Sequence, residues 1–548
     1  MEFSEFITLP QVEGVVFTSQ SQKVEGQLCI TSHHLILARR IENQDEFWLP
    51  HSKVDQVERK NPNSRSLTLY CKDFQVISLL FPQAEECAQV ASSIEKLSNL
   101  ADVSLLYPFY HSCSFQVLED GWLAFTTHSE FTKYRNSNDF RLSEVNKNFE
   151  LCPSYQGQVV VPKSIDDETI RKAAPFRKLN RFPVLSYVHK ASGTYMVRAG
   201  QVEAKGKRSR EDEALLDAFV VSGKKAYKVD MRTGTSTENS NETEGNYSLW
   251  KKVNLPVQKW PVVQESFSAL IEACRDTTLS TEKFLSKLNS SHWLDYVRDV
   301  LICSCVVATY IHREACTVLI EGFDGTDRTL QVTSLSQVIL EPDCRTIRGF
   351  EALIEREWIQ AGHPFADRCS KALYSNTQAK KESPMFLLFL DGVWQIWQQF
   401  PCSFEFNEDF LQLLYDNCYS SSYGTFLCNN QKERAQLHLH KRTISLWSYV
   451  NRPEFLELYL NPLYEPNNDA IFPSIAPQSL ILWKNLYMRY LIDPAPHREV
   501  WDKIKHIKGK NSGLQLKASR LRRQIDALSK ELQDEGISTN EALVRTTS

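Results

Sequence analysis

The chain has 548 residues, too many for one hydrophobic core, so two to four domains are expected. Lys and Arg total 63 against 67 acidic residues, and this near-neutral balance excludes bulk nucleic-acid binding. Hydrophobic residues make up 42% and aromatics 11%, enough for large packed cores.

The opening "MEFSEFITLPQVEG" carries acids and has no apolar h-region, so it does not read as a signal peptide. Residues 1–105 read as one β-rich unit, with strand-like runs "GVVF", "GQLCIT", "HLILAR", "EFWLP", "SLTLYC" and "FQVISLLF" separated by turn residues. "QAEECAQVASSIEKLSNL" then switches to a helical period, with Cys87, Val90, Ala91, Ile94 and Leu97 on one face. Strands closed by one terminal helix suit a small barrel plugged by that helix. His33 and His34 are adjacent on a strand, point to opposite faces and cannot share a metal ion; no metal and no cofactor is expected.

Residues 106–496 alternate strands and helices, as in an α/β domain. "RFPVLSYVH" (181–189) and "TVLI" (317–320) read as buried strands. "GFEALIEREWIQAG" (349–362) reads as a helix with Phe350, Leu353, Ile354 and Trp358 inward. "MRTGTSTENSNETEG" (231–245) is a polar surface loop. "VLICSCVVATYI" (300–311) and "MFLLFLDGVWQIW" (385–397) are too short to span a bilayer, and the second contains Asp391; both read as core. The 14 cysteines show no framework spacing and no C-x-x-C, which fits reduced cytosolic thiols and leaves the sequons at Asn241, Asn246 and Asn289 silent.

The tail over 497–535 is helical and basic, and 536–548 reads as a flexible end. Val500, Ile504, Ile507, Asn511, Leu514, Ala518, Leu521, Ile525, Leu528 and Leu532 are spaced alternately by four and three, a heptad seam. The alternative is a helix docked on its own domain. Gly509 and Gly513 weaken the helix midway, by about 1 kcal/mol each, which leaves 514–532 as the firmest part. With a positions at Ile504, Asn511, Ala518, Ile525 and Leu532, a parallel self-pair sets Lys503 against Lys508 and Lys517 against Arg522. Those like charges disfavour a homodimer and favour a partner with acidic flanks, while Asn511 fixes register.

The segment "VLIEGFDGTDRT" (318–329) has the order strand, Gly- and Asp-rich turn, helix, which several enzyme classes use to hold a phosphoryl group. A cysteine-based phosphatase places a thiolate nucleophile at the base of such a loop and an arginine six residues later. Counting back six from Arg328 gives Gly322, which has no nucleophile; Glu321 and Phe323 add an anion and a ring beside it. Cys316 has no arginine at the right spacing. Cys428 has one in Arg434, but without a Gly-rich loop. Asp324 as a carboxylate nucleophile would need a metal and another fold.

Glu321, Gly322, Phe323, Asp324, Gly325, Thr326, Asp327, Arg328 and Thr329 together resemble the active loop of the myotubularin family of lipid phosphatases, His-Cys-Ser-Asp-Gly-Trp-Asp-Arg-Thr. "GQLCITSHHLIL" resembles the family's pleckstrin-like GRAM domain. "CPSYQGQVVVPKSIDDETIRKAAPFRKLNRFPVLSYVH", "RTIRGFEALIEREWIQAGHPFADR", "PMFLLFLDGVWQIWQQFPCSFEFNEDFL" and "TISLWSYVNRPEFLELYLNPLY" resemble its phosphatase domain, and the heptads its coiled coil. The resemblance implies a β-barrel GRAM domain (1–105), an α/β Cys-phosphatase-like domain (106–496) and a coiled coil. It implies the general-acid position at Asp327, the phosphate-gripping arginine at Arg328, and an inactive member at Gly322. Two readings of Asp327 and Arg328 stay open: a salt-bridged loop kept for folding, or a retained anion site that binds phosphoinositide weakly against Glu321, Asp324 and Asp327. Inactive members pair with active ones, and the partners implied are active phosphatases, the sixth, seventh and eighth members, through the coiled coil. The location implied is cytoplasmic and peripheral to endosomal, perinuclear or endoplasmic reticulum membranes. The alternatives are a stand-alone phosphoinositide-binding protein and a cryptic hydrolase.

Overall fold

A computed structural model describes residues 3, 5–19, 22–39, 46–133, 139–203, 208–233, 247–370, 381–493 and 495–534. Most of the polar 231–245 loop and the 536–548 end lie outside them. The chain divides into two units, Met1–Leu491 and Ile492–Ser548.

The first unit opens with seven strands: β1 (Gln11–Ser19), β2 (Gln22–Ile30), β3 (His34–Arg39), β4 (Phe47–Pro50), β5 (Val54–Arg59), β6 (Ser66–Cys71) and β7 (Val76–Leu80). They form one antiparallel sheet in the order β4-β3-β2-β1-β7-β6-β5. Helix α1 (Ala84–Leu97) buries Cys87, Val90, Ala91, Ile94 and Leu97 in the core made by Val15, Leu28, Leu37, Leu67 and Ile77. Strand β5, "VDQVER", is absent from the sequence reading because only two of its residues are apolar. It lies at the sheet edge, where charged side chains guard against unwanted pairing. His33 lies in the turn before β3, not on the strand, and both histidine rings rest against Tyr107, which corrects the expectation of opposite faces. His33 Nε2 lies 3.1 Å from the Leu105 carbonyl, and the His34 ring sits edge-on to Tyr107.

The α/β part holds a short hairpin, β8 (Phe140–Ser143) with β9 (Val159–Pro162), and a five-stranded sheet. Its strands are β10 (Val184–His189), β11 (Thr194–Gly200), β12 (Ala226–Asp230), β13 (Trp250–Asn254) and β14 (Thr317–Gly322), in the order β10-β11-β14-β12-β13. β14 is central, parallel to both neighbours and buried at every residue, as a strand covered on both faces must be. The principal helices are α2 (Arg210–Asp217), α3 (Trp260–Arg275), α4 (Trp293–His312), α5 (Arg328–Leu340), α6 (Ile347–Ile354), α7 (Met385–Gln399) and α8 (Glu408–Tyr419). The two long apolar runs of the sequence are the buried α4 and α7, which pack on α5. Asp391 is tolerated inside α7 because its carboxylate accepts from Trp293 Nε1 (2.8 Å), Tyr487 Oη (2.7 Å) and Gln395 Nε2 (2.9 Å). The helix expected over 349–362 is α6 followed by a π-helical turn, Glu355–Ile359, with Phe350, Leu353, Ile354 and Trp358 all buried.

The β-rich part is not a free-standing module. Its β6–β7 turn enters the α/β part, with Phe74 stacked on Tyr415 of α8 at 5.5 Å and Tyr415 Oη donating to the Lys72 carbonyl at 2.7 Å. Asp73, 3% exposed, pairs with Lys53 at 2.5 Å and Arg489 at 3.6 Å, and accepts from Tyr490 Oη. Burial alone would raise the Asp73 carboxyl; Lys53 and Arg489 outweigh it and hold the group below its ordinary range.

The second unit is described as one helix, α9 (Ala495–Asp534), of 40 residues. It runs through Gly509 and Gly513 without a break. Val500, Ile507, Leu514, Leu521, Ile525 and Leu528 are all exposed, as are Asn511 and Ala518, while Ile504 and Leu532 are half-buried. Among the described residues no helix is long and apolar enough to cross a membrane.

Asp73→Asn should destabilise the chain by about 3–5 kcal/mol, because it leaves buried cations without their counter-charge. The native carboxylate's contribution is present above the unfolded-state pKa near 4 and is lost as pH falls through its lower folded value. Denaturant melts of the two chains should therefore converge in acid; a constant gap would refute the assignment.

Candidate active site, a phosphate loop without a thiol

The end of β14 and the start of α5 enclose a cleft of about 380 Å³, lined on one side by residues 322–329 and on the other by Arg232, Thr233, Lys259, Trp260 and Pro261. All of the loop positions marked in the sequence meet here except Glu321. Gly325 has φ +72°, and a Cβ there would meet the Ala199 carbonyl at 3.0 Å, so the turn requires glycine.

Glu321 does not face the cleft, which corrects the sequence expectation that it repels phosphate. It is the penultimate residue of the buried strand β14, and its carboxylate is 1% exposed. Oε2 accepts from Arg177 Nη1 at 2.9 Å and Oε1 lies 3.0 Å from Lys228 Nζ. Arg177 also forms a two-pronged pair with Asp212 of α2, at 2.8 and 2.7 Å, and Tyr247 Oη donates to Asp212 at 2.6 Å. Burial works against the Arg177 charge, but Asp212 and Glu321 outweigh it and raise its pKa.

Asp327 is likewise neutralised. Arg368 grips it with Nη2 at 2.8 Å and Nε at 3.2 Å, and His363 Nδ1 lies 3.2 Å from Oδ1 and 2.9 Å from the Thr326 carbonyl. Burial would raise this carboxyl; Arg368 and His363 overcome it and hold it far below the usual range. Arg368 and His363 thus hold the group as a carboxylate in the ligand-free loop. Asp324 differs: half-buried, it is raised first by burial and then by Asp327. It is the carboxyl that opposes an anion in the cleft.

Arg328 donates from Nη1 to the carbonyls of Met231 (2.9 Å) and Val257 (2.8 Å), which tie it to the loops after β12 and β13. Its Nε and Nη2 have no hydrogen-bond partner among the described residues, and the side chain lines the cleft. Arg232 at the rim is paired with Asp230, and Phe323, half-exposed, carries the Lys178 ammonium 4.5 Å from its ring centre. The loop itself hangs from Arg181, whose Nη2 donates to the Gly325 and Ala361 carbonyls at 2.8 and 2.9 Å.

Position 322 holds no side chain, and its space is partly taken. The Gly322 N–H donates to Thr329 Oγ1 at 2.9 Å, and a Cβ on Gly322 would stand 2.9 Å from that same oxygen. None of the residues lining the cleft has a thiol. The other cysteines do not supply one. Cys316 is buried at the opposite end of β14, and burial raises its thiol. Cys428 is 2% exposed, has its thiol pushed up to about 11 by burial, and lines a different cavity from Arg434, so the two do not form a catalytic loop. Among the described residues no group of three or more metal-ligating side chains is gathered. Arg177, Arg181, Lys228, His363 and Arg368 were not marked by sequence reasoning; each acts across a long stretch of chain. Only the place of the four other than Lys228 in "APFRKLNRF" and "AGHPFADR" hinted at them, with nothing to mark Lys228.

A central parallel strand, a glycine turn and an arginine-headed helix define the phosphate loop of a Cys-phosphatase-type domain, here without the cysteine. Known proteins place it further. The profile of the "Myotubularin-like phosphatase domain" matches residues 106–435, and that of the "MTMR6-9, GRAM domain" matches residues 10–98. The chain is 47% identical to myotubularin-related protein 9 of Homo sapiens over 97% of this chain and 99% of that one. It is 36% identical to the Caenorhabditis elegans protein of that name, over 97% of this chain and 99% of that one. It is 31% identical to phosphatidylinositol-3-phosphate phosphatase MTMR7 of Homo sapiens, over 93% of this chain and 80% of that one. The chain belongs to the myotubularin family, with a GRAM domain followed by the family's phosphatase domain.

Arg368→Gln should destabilise the chain by about 3–5 kcal/mol by leaving the Asp327 carboxylate buried and unpaired. Its folded pKa would then rise, so the penalty should shrink on acidification below about pH 4; a melt series that shows no pH dependence would argue against the pair. Gly322→Cys should give no phosphatidylinositol 3-phosphate hydrolysis and a small loss of stability, because the new Cβ crowds Thr329 and the general-acid position stays locked. Substantial phosphate release would contradict this.

Proposed function

We propose that this chain is a catalytically silent phosphoinositide 3-phosphatase homologue that acts as a regulatory adaptor. It pairs through α9 with active myotubularin-family phosphatases and raises their activity, stability or membrane targeting. One observation carries the reading: the phosphate loop is complete in strand, turn and arginine yet has glycine and a packed threonine where the nucleophile would stand. A loop maintained in this way serves structure or binding, not phosphoryl transfer.

The exposed seam on α9 supports the pairing half. Its outward row of apolar residues lies beside Lys503, Lys508, Lys517 and Arg522, which suits an unlike helix with acidic flanks better than a second copy. Relatives named as phosphatidylinositol-3-phosphate phosphatase (MTMR7) and phosphatidylinositol-3,5-bisphosphate 3-phosphatase (MTMR8) match along most of their length, which supplies the class of partner. The sixth, seventh and eighth members are the partners proposed. Peripheral association with endosomal, perinuclear or endoplasmic reticulum membranes belongs to the same reading.

The second reading is a stand-alone phosphoinositide-binding protein. Arg328, with donors open to the cleft, favours weak headgroup binding there, opposed by Asp324.

The purified chain should release no phosphate from phosphatidylinositol 3-phosphate vesicles, and should raise turnover when mixed with an active relative. Leu521→Pro should abolish both co-elution and the rise, because proline breaks the helix at about 3 kcal/mol or more. Association that survives Leu521→Pro would sink the helix-mediated reading. Phosphate release by the chain alone would sink the adaptor reading.

A further inference from the structure

A second cleft, of about 650 Å³, lies between residues 120–127, the π-helical turn that follows α6, and residues 431–440. It shares no lining residue with the phosphate loop. Its size is that of small-molecule sites. Arg434 lines it and is only 8% exposed. Among the described residues its guanidinium makes no hydrogen bond and no ion pair within 4 Å, and its Nε is fully buried and unpartnered. That Nε has lost water without gaining a hydrogen bond, which is costly. Burial lowers its pKa, and the nearest opposing influence is Glu355.

Glu355 answers that charge only from beyond ion-pair reach: its Oε1 accepts from Trp447 Nε1 at 2.7 Å, and burial pushes its pKa up against the opposing pull of Arg434. Glu355 opens the π-helical turn, in which the Gln360 N–H reaches back five residues to the Glu355 carbonyl at 2.8 Å. Such turns widen a helix by one residue and recur at functional sites. Here the extra residue brings Glu355, Ile359 and Gln360 together onto the cleft wall.

The remaining walls set the shape of the occupant. Trp122, Phe125, Phe149 and Leu439 give them an apolar stretch among polar residues that include Gln158, Gln431, His438 and His440, and Leu123 stands 69% exposed at the same cleft. Glu355 and the exposed Asp120 oppose a polyanion. We propose that this cleft binds an amphipathic monocarboxylate, with the carboxylate forked on Arg434 and the apolar body against Trp122, Phe125 and Phe149. Arg434, the arginine of a chance C-x5-R match, thus serves as an anion receptor in a cleft separate from that of the phosphate loop.

The test is calorimetric titration of the full chain with decanoate, kept below its micellar concentration, and with decanol as the uncharged control. Decanoate should bind saturably at one site per chain, and decanol at least about tenfold more weakly, a difference of about 1.4 kcal/mol. Arg434→Gln should remove that preference. Leu123→Asp, at an exposed position that leaves the core intact, should weaken decanoate several-fold by placing a like charge at the cleft. Absence of saturation, equal binding of decanol, or unchanged decanoate affinity in Leu123→Asp would each overturn the proposal. Displacement of decanoate by millimolar inorganic phosphate would overturn the preference for a monocarboxylate. Should Arg434→Gln not fold, the decanol and Leu123→Asp arms still decide.

Discussion

The ion pair between Arg177 and Glu321 is the constraint on which the phosphate loop depends. Glu321 is the residue just before the vacant nucleophile position, and it is fixed inside the protein by a guanidinium that is itself fixed by Asp212. An unpaired carboxylate at the end of a central strand would be intolerable, and so would an unpaired arginine beneath it. Their pairing anchors the last turn-ward residues of β14, next to Gly322 where the strand ends. Arg181 then holds the turn at Gly325 and Arg368 holds it at Asp327. The loop is suspended from three buried guanidiniums, each from a segment outside it.

This suspension explains how the loop keeps its form without the residue around which such loops are organised. In a working thiol phosphatase the backbone amides and the arginine are justified by the anion they stabilise. Here the shape is maintained by internal ion pairs whose energy does not depend on a ligand. The same pairs compensate two of the three acidic charges of the loop, leaving Asp324 to face Arg328 and Lys259. The electrostatic opposition to an anion is thus smaller than the sequence suggests.

Features with a local period were legible in the sequence. The inner face of α1, the buried strand into the loop and the 4-3 seam of α9 all follow from spacing, and the structure forms a helix or strand at each. Features made by distant pairs were not. Arg177 meets Glu321 across 144 positions, and nothing near either residue announces the other. Strand β5 escaped notice because an edge strand needs little apolar content. The π-helical turn keeps helical spacing of its apolar residues, so periodicity shows a plain helix there. The C-x5-R match at Cys428 and Arg434 shows the converse error: correct spacing, with a buried thiol raised by desolvation and no glycine turn between the two.

The outward seam of α9 has a consequence for how much of this chain a cell can hold in its native form. A row of leucine and isoleucine side chains in water is a standing cost, and a stripe of that kind invites non-specific contacts. A helix that covers it stabilises the folded chain by an amount that grows with the logarithm of that helix's concentration. If α9 pairs as proposed, supply of the covering helix sets how much of this chain persists, with any excess exposed to clearance.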